Sequence, residues 1–304
     1  MAEDSKNREL YEGLVISHLG KALAIESEAG DIIICHTRRR METAAAGDRV
    51  LWQPTKGGLG RVESILPRRS LLARPARNGK FRPVAANLDQ LLIIFAIEPE
   101  CDFLLIDQYL VVAENRGFQV SLIFNKIDLC NEKQLGDITE RLSLYENLKY
   151  PIFFVSTKSG KGMDQIHQTL KGKTSMLVGQ SGVGKSSMSN YLLPDKGLKT
   201  SALSKTSGRG RQTTTAATLY HLPDGGDLID SPGVSIFGLA DISKADLAFG
   251  FREFQPHLND CQFNDCKHIN DKGCAIRLAL ENCEIDHSRY ERFLKLREKL
   301  PTIS

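Results

Sequence analysis

The sequence predicts a multidomain protein with an N-terminal β-barrel, a central α/β domain built on a parallel sheet, and a C-terminal metal-binding segment with helices. Three observations predict it. Short β-rich runs broken by turns fill the chain as far as Arg82. From about Asn87, continuous apolar runs alternate with helical stretches. From about Ala240, cysteines and a histidine gather among polar residues ahead of a charged closing helix. The expected boundaries are 1–85, 86–240 and 241–304.

The chain has 304 residues, which at roughly 100–200 residues per domain suggests two or three domains. With 41% apolar and 25% charged residues, the balance is that of a globular protein, not a disordered one. No apolar run approaches the ~18 residues of a membrane helix. Met1–Leu10 lacks the apolar core of a signal peptide, so a cytoplasmic protein with no membrane partner is expected. Seven cysteines, an odd number, suggest free thiols and one metal site in place of a disulfide framework. The net charge of +3 conceals an asymmetry. Between His36 and Arg82, twelve Lys and Arg face three Asp and Glu, a local charge of +9. Such a segment implies a polyanion partner, of which nucleic acid is the usual one.

In the first region, Gly13–Ile16, Asp31–Cys35, Asp48–Trp52 and Gly60–Ile65 read as strands, punctuated at Gly47-Asp48 and Lys56-Gly57-Gly58. Several short strands at this spacing predict a small barrel. An OB-type barrel is the natural candidate because it also binds nucleic acid, although an SH3-like barrel has the same periodicity. Arg68, Arg69, Arg74 and Arg77 lie at its exit.

In the second region, Leu91–Ile97, Val120–Phe124, Ile152–Val155 and Ser175–Val178 are apolar runs of the kind a strand buried on both faces requires. Helical stretches at Phe103–Arg116 and Glu132–Leu148 lie between them, which predicts βαβ units. A closing helix is expected over Ser288–Leu300.

Gly179-Gln180-Ser181-Gly182-Val183-Gly184-Lys185-Ser186 satisfies G-x-x-x-x-G-K-[ST], with a strand before it and a helical stretch, Ser187–Leu193, after it. Glycines let backbone N–H groups turn inward on phosphate oxygens, and the helix N-terminus adds positive charge. Lys185 is expected to reach the β- and γ-phosphates, and Ser186 to ligate Mg²⁺, with Ser187 also in the nucleotide-binding set.

Asn125-Lys126-Ile127-Asp128 selects the base. A carboxylate accepts from two adjacent donors. Guanine offers N1–H and its 2-amino group, whereas adenine presents a lone pair at N1. Asp128 therefore selects guanine, Asn125 braces the loop, and the Lys126 stem lies over the base. An ATPase conflicts with Asp128. Ser156-Thr157-Lys158, after the strand Ile152–Val155, is similar to the loop whose backbone contacts the guanine oxygen. Asp230-Ser231-Pro232-Gly233 follows the short run Asp227–Ile229 and reads as D-x-x-G, with Asp230 toward Mg²⁺ and Gly233 toward the γ-phosphate.

In Ras-like GTPases these elements run phosphate loop, D-x-x-G, N-K-x-D. Here Asn125 lies 54 residues ahead of Gly179. The site still assembles if the chain ends have moved and the old ends are joined, so the order predicts a circularly permuted GTPase.

Cys261-x₄-Cys266-x-His268-x₅-Cys274 offers three thiolates and an imidazole, a set suited to one tetrahedral Zn²⁺ with a structural role. Cys283 and His287 lie close by as further candidates. Cys35, Cys101 and Cys130 read as ordinary thiols.

A basic barrel, a permuted GTPase and a Cys₃His segment together resemble the ribosome small subunit-dependent GTPase A (RsgA) family, over nearly the whole chain from about Gly13 to Leu300. The resemblance implies late maturation of the small ribosomal subunit, GTP hydrolysis stimulated by that subunit, and rRNA binding through the barrel and the zinc segment. It identifies Ser207–Thr215 as the first switch loop, with Thr214 or Thr215 binding Mg²⁺ in the GTP state. Val234 stands where Ras-like enzymes place a water-orienting Gln, and the family's switch-loop His corresponds here to Gln212. Gln212 can orient water but cannot act as a base. The expected enzyme is thus a monomeric GTP hydrolase with Lys185, Thr214 and Gln212 serving the reaction. The 36–82 stretch, Lys205, Arg209 and Arg211 are expected on RNA phosphates. The alternative is a nucleotide-switched RNA-binding module with negligible turnover.

Overall fold

A computed structural model describes residues 9–38, 41–75, 81–195, 217–231 and 239–300. The chain divides into two compact units. The first takes residues 1–89, 170–176 and 189–234, and the second takes 90–169, 177–188 and 235–304.

In the first unit, strands β1 (Tyr11–Leu19), β2 (Ala22–Ser27), β3 (Ile32–Thr37), β4 (Arg49–Pro54) and β5 (Gly60–Ile65) close on themselves. β1 pairs antiparallel with β2, β2 with β3 and β4 with β5, β3 runs parallel to β5, and the β1–β4 pairing completes the ring. This is the five-stranded OB-like closure, which the run of strands alone does not distinguish from an SH3-like one. Its interior is packed by Val15, Leu23, Ile25, Cys35, Val50, Trp52 and Val62, residues that alternate with outward-facing ones along each strand. The β2 strand was not among the expected elements. Its sequence, ALAIES, carries two alanines, and Gly20 and Gly30, at φ 74° and 86°, mark the turns on either side of it.

A hairpin of β6 (Leu71–Pro75) and β7 (Phe81–Ala86) follows the barrel. It too was unforeseen, because Pro75 and Pro83 interrupt both runs; a two-stranded hairpin tolerates prolines where a central strand would not. Later in the chain, β12 (Thr218–His221) and β13 (Asp227–Asp230) form a second hairpin. β12 also pairs with β1 at Ser17↔Thr218, and β13 runs parallel to the start of β11 (Thr174–Gly179).

The second unit holds a parallel sheet with strand order β10-β9-β8-β11, where β8 is Gln90–Ala96, β9 Gln119–Asn125 and β10 Ile152–Phe154. Every residue of β8 is buried, as its unbroken apolar run requires. Helix α1 spans Phe103–Arg116, because Asp102 caps its first turn through Leu105 N–H and Gly117 ends it in the left-handed region at φ 68°. Helix α2 spans Glu132–Asn147 behind an Asn131/Gln134 capping box. Helices α3 (Met163–Leu170) and α4 (Lys185–Leu192) complete the α/β part, and α5 (Lys244–Phe249), α6 (Ala275–Glu281) and α7 (His287–Glu298) form the C-terminal part.

The C-terminal helices are fastened to α1 by a buried charge cluster. Asp107, with no exposure, accepts from the Tyr145 hydroxyl at 2.6 Å and pairs with Arg289 and Arg292; Arg289 also donates to both oxygens of Glu253 at 2.6 and 2.9 Å. Phe251, Phe254, Tyr290 and Phe293 pack beside it.

Candidate nucleotide site and metal centre

Parallel strands deliver their loops to the carboxyl edge of a sheet, where α/β proteins bind ligands. In the second unit that edge carries Asn125 at the end of β9, Ser156 beyond β10 and Gly179 at the end of β11. The phosphate loop turns through Gly179, Gly182 and Gly184, at φ 141°, 84° and 100°, before α4 begins at Lys185. Two of these glycines are required by contact as well as by backbone. A Cβ on Gly179 would meet the Ile94 carbonyl oxygen at 2.0 Å, and one on Gly184 would meet Asn125 Nδ2 at 2.3 Å. Val183 is fully buried and anchors the loop, while Ser181, Gly182, Ser186 and Ser187 are exposed on it and Gln180 is partly so. Lys185 Nζ donates to the carbonyls of Gly179 and Gln180, both at 2.7 Å, so its ammonium already lies across the loop where phosphate would sit.

Asn125 has no solvent exposure. Its Nδ2 donates to Val183 O at 2.9 Å, and its Oδ1 accepts from Thr157 N–H at 3.2 Å. One buried side chain thus ties the base-reading loop to the phosphate loop and to the Ser156–Lys158 segment. Lys126 takes φ 63° and donates to the Glu98 carbonyl at 2.8 Å. Asp128 is exposed, and its Oδ1 accepts from the buried Ser156 hydroxyl at 2.6 Å. That bond, ahead of the charges of Lys158 and Lys126, holds the Asp128 carboxyl below the usual carboxylate range, so it is an anion ready to accept.

Asn125, Lys126, Asp128, Ser156, Thr157 and the loop Gly179–Lys185 are therefore joined by hydrogen bonds within one unit, with Ser186 and Ser187 following on α4. Lys158 is exposed beside them. Asp230 ends β13 in the first unit. Gln212, Thr214, Thr215, Gly233 and Val234, with Lys205, Arg209 and Arg211, lie outside the described residues. Two features were not anticipated. The Glu98 carbonyl holds Lys126, and Pro99 stands 3.4 Å from a Cβ placed on Gly182. Only the Pro after the β8 run hinted that the chain stops and turns there.

The basic stretch is less free than its charge suggests. Arg68 is clamped by Asp48 at 2.7 and 2.9 Å and by Glu42, Arg69 pairs with Asp89, and Arg38 and Arg61 share Glu63. These arginines hold the barrel and its exit together. The sequence did not show it for Arg68 and Arg69, whose carboxylates lie 20 or more positions away in the chain.

Cys261, Cys266, His268 and Cys274 converge in the C-terminal part, with ligand atoms all within 4.8 Å of one another. Both Cys261 Sγ and Cys274 Sγ lie 3.6 Å from His268 Nδ1. At a metal–sulfur distance of about 2.3 Å, tetrahedral ligands stand roughly 3.8 Å apart, so this donor set fits an ion. Burial, then Arg297, lowers the His268 pKa and favours the neutral, ligating imidazole. Tyr290 donates to the His268 carbonyl at 2.6 Å, fixing the loop, whose His268 backbone is left-handed at φ 58°. Cys283 and His287 are outside the cluster.

A phosphate loop bonded to an N-K-x-D loop, with the second preceding the first, defines a circularly permuted P-loop GTPase. Comparison with known proteins agrees. A family model described as RsgA GTPase matches residues 65–240. The small ribosomal subunit biogenesis GTPase RsgA of Pseudomonas fluorescens (strain Pf0-1) is 43% identical over 293 residues, 95% of this chain and 85% of that protein. Its namesake from Hahella chejuensis (strain KCTC 2396) is 44% identical over 293 residues, 95% and 84%. The crystal structure of YjeQ from Thermotoga maritima superimposes with a TM-score of 0.78 at 33% identity, covering 95% of this chain and 98% of that one. YloQ, a circularly permuted GTPase, gives 0.75 at 26% identity, covering 98% and 97%. The chain belongs to the RsgA GTPase family, and it is a GTP hydrolase. Among the described residues, no helix is long and apolar enough to cross a membrane.

Proposed function

We propose that this GTPase acts in maturation of the small ribosomal subunit, binding its rRNA and hydrolysing GTP faster when the subunit is present. The observation that carries the reading is the Asn125 bridge. One buried amide bonds to Val183 of the phosphate loop and to Thr157, so base and phosphates are read by a single connected frame. The names of the relatives supply the biological setting.

In this reading the phosphates lie on the N–H groups of Gly179–Ser187, with Lys185 turning from its loop carbonyls to the β- and γ-oxygens. Asp128 takes the guanine N1–H and 2-amino group. Mg²⁺ bound with the nucleotide would neutralise phosphate charge; Ser186, Thr214 or Thr215, and Asp230 through water would hold it, and Gly233 would offer its N–H to the γ-phosphate. Hydrolysis rests on positioning and charge neutralisation. Gln212 is assigned to orienting the attacking water. The Cys261, Cys266, His268 and Cys274 ion is Zn²⁺, because three thiolates and an imidazole favour it and leave no open position. The functional division is barrel, GTPase domain and zinc-bearing domain, over 1–85, 86–240 and 241–304. The protein works in the cytoplasm as a monomer.

The test is GTP hydrolysis by the purified protein, alone and with small ribosomal subunits, at two salt concentrations. Stimulation that fades at high salt is expected. Tight GTP-dependent binding without stimulation would instead indicate the nucleotide-switched module, and absence of binding would overturn the ribosomal reading.

A further inference from the structure

Arg74 and Arg82 face each other directly across the β6–β7 hairpin. Like charges in register across an antiparallel pair repel. Among the described residues, Arg38, Arg49, Arg61, Arg68 and Arg69 each meet a carboxylate, and neither of these two does. They line a recess of the first unit together with His18, the buried Ala44–Ala46 backbone and Ser231. Among the described residues that line it, none is acidic. Ser231 directly follows Asp230 of the D-x-x-G segment.

We propose that this recess is a phosphate-binding site, in which Arg74 and Arg82 grip one phosphate group and His18 and Ser231 border it. The group is either a phosphodiester of RNA or a phosphate of a free nucleotide. Two guanidinium forks without a carboxylate are the donors that phosphate oxygens match. Occupancy would relieve the repulsion across the hairpin and set an anion against the residue next to Asp230. The RNA source rests on the ribosomal reading above, whereas the site itself does not. His18 also supplies a reporter. Burial, then the charge of Arg82, lowers its pKa, and an anionic phosphate beside it offsets the charge of Arg82 and favours the protonated ring.

The experiment follows the His18 ring proton resonances while a 12-nucleotide single-stranded RNA, or inorganic phosphate, is added to the full-length protein. The comparison protein is the double variant Arg74→Gln with Arg82→Gln, and Arg74→Lys with Arg82→Lys retains the charge. Expected is a saturable shift of His18 with a rise in its titration midpoint, absent in the Gln pair and partly kept in the Lys pair. The Gln pair should also flatten the slope of log affinity for the RNA against log salt by about 0.7 per phosphate lost. A response to RNA alone assigns the site to RNA, and an equal response to inorganic phosphate assigns it to free phosphates. Melting curves show whether each variant is folded. No His18 response to either probe, or the same response in wild type and a folded Gln pair, overturns the proposal. Subunit-stimulated hydrolysis by the same sample separates the two claims: stimulation without a His18 response refutes the recess alone.

Discussion

The side-chain amide of Asn125 donates to the carbonyl of Val183 at 2.9 Å, with both residues fully buried. Fifty-eight positions apart in the chain, they make the N-K-x-D loop and the phosphate loop one object. Asn125→Ala would strand the Val183 carbonyl and the Thr157 N–H without partners. An unsatisfied buried polar group costs about 1–3 kcal/mol. The expected result is a loss of GDP affinity of at least tenfold with a modest drop in melting temperature, read by calorimetric titration and thermal unfolding. Unchanged GDP affinity would show that the bridge does not hold the pocket.

His221 joins the β12–β13 hairpin to the barrel, with Nδ1 2.6 Å from Asp227 and Nε2 2.7 Å from Glu26. The bond to Asp227, then that to Glu26, outweighs partial burial and pushes its pKa up to about 9. A folded-state pKa above the unfolded value stabilises fully below about pH 6.5 and is lost as pH rises through about 9. The side chain is 47% exposed, so screening cuts the contribution to roughly 1 kcal/mol. Urea unfolding at pH 6, 7.5 and 9.5 should show that decline in wild type and a flatter profile in His221→Gln. Parallel profiles would refute the assignment.

The metal cluster makes a prediction about protons. Without an ion, burial and the neighbouring thiols push the Cys266 thiol up to about 12. A bound cation must expel that proton, so metal affinity should rise with pH and binding should release acid. Stripping with a chelator should remove one equivalent of zinc and lower the unfolding midpoint, and Cys274→Ser should retain none after dialysis. Wild-type protein purified with no metal, at full stability, would contradict the site.

Asp107 is the hub of the α1–α7 fastening. Asp107→Ala leaves two arginines, one of them fully buried, short of a counter-charge. Breaking such a pair from one side costs about 3–5 kcal/mol. Equilibrium unfolding should show a loss of that size, and a loss below about 1 kcal/mol would mean that Glu253 alone satisfies Arg289.

Much of the site was legible because its chemistry is local. The phosphate loop, the N-K-x-D tetrapeptide and the Cys/His spacing each put their donors within a few residues, and the apolar runs fixed the strands that aim them. Helix α1 was legible to the residue because Asp102 and Gly117 mark its ends. Long-range features were not. The Asn125–Val183 bond, the neutralisation of Arg68 by Asp48 and the barrel closure between β1 and β4 join segments distant in sequence, and nothing in either partner announces the other. The β6–β7 hairpin was hidden because Pro75 and Pro83 argue against strands in a sequence, whereas a two-stranded ladder accepts them.

If Asp128 and the phosphate loop form one guanine site in a permuted order, the preference for the base must follow the side chain at position 128. An asparagine at that position offers one donor and one acceptor, which suits xanthine, with a carbonyl where guanine has its amino group. Displacement of a fluorescent GDP from wild type should be strong with GDP and weak with ADP and xanthosine diphosphate. In Asp128→Asn, xanthosine diphosphate should gain and GDP lose at least tenfold. ADP competing as well as GDP with wild type, or an Asp128→Asn protein with unaltered preference, would contradict the account.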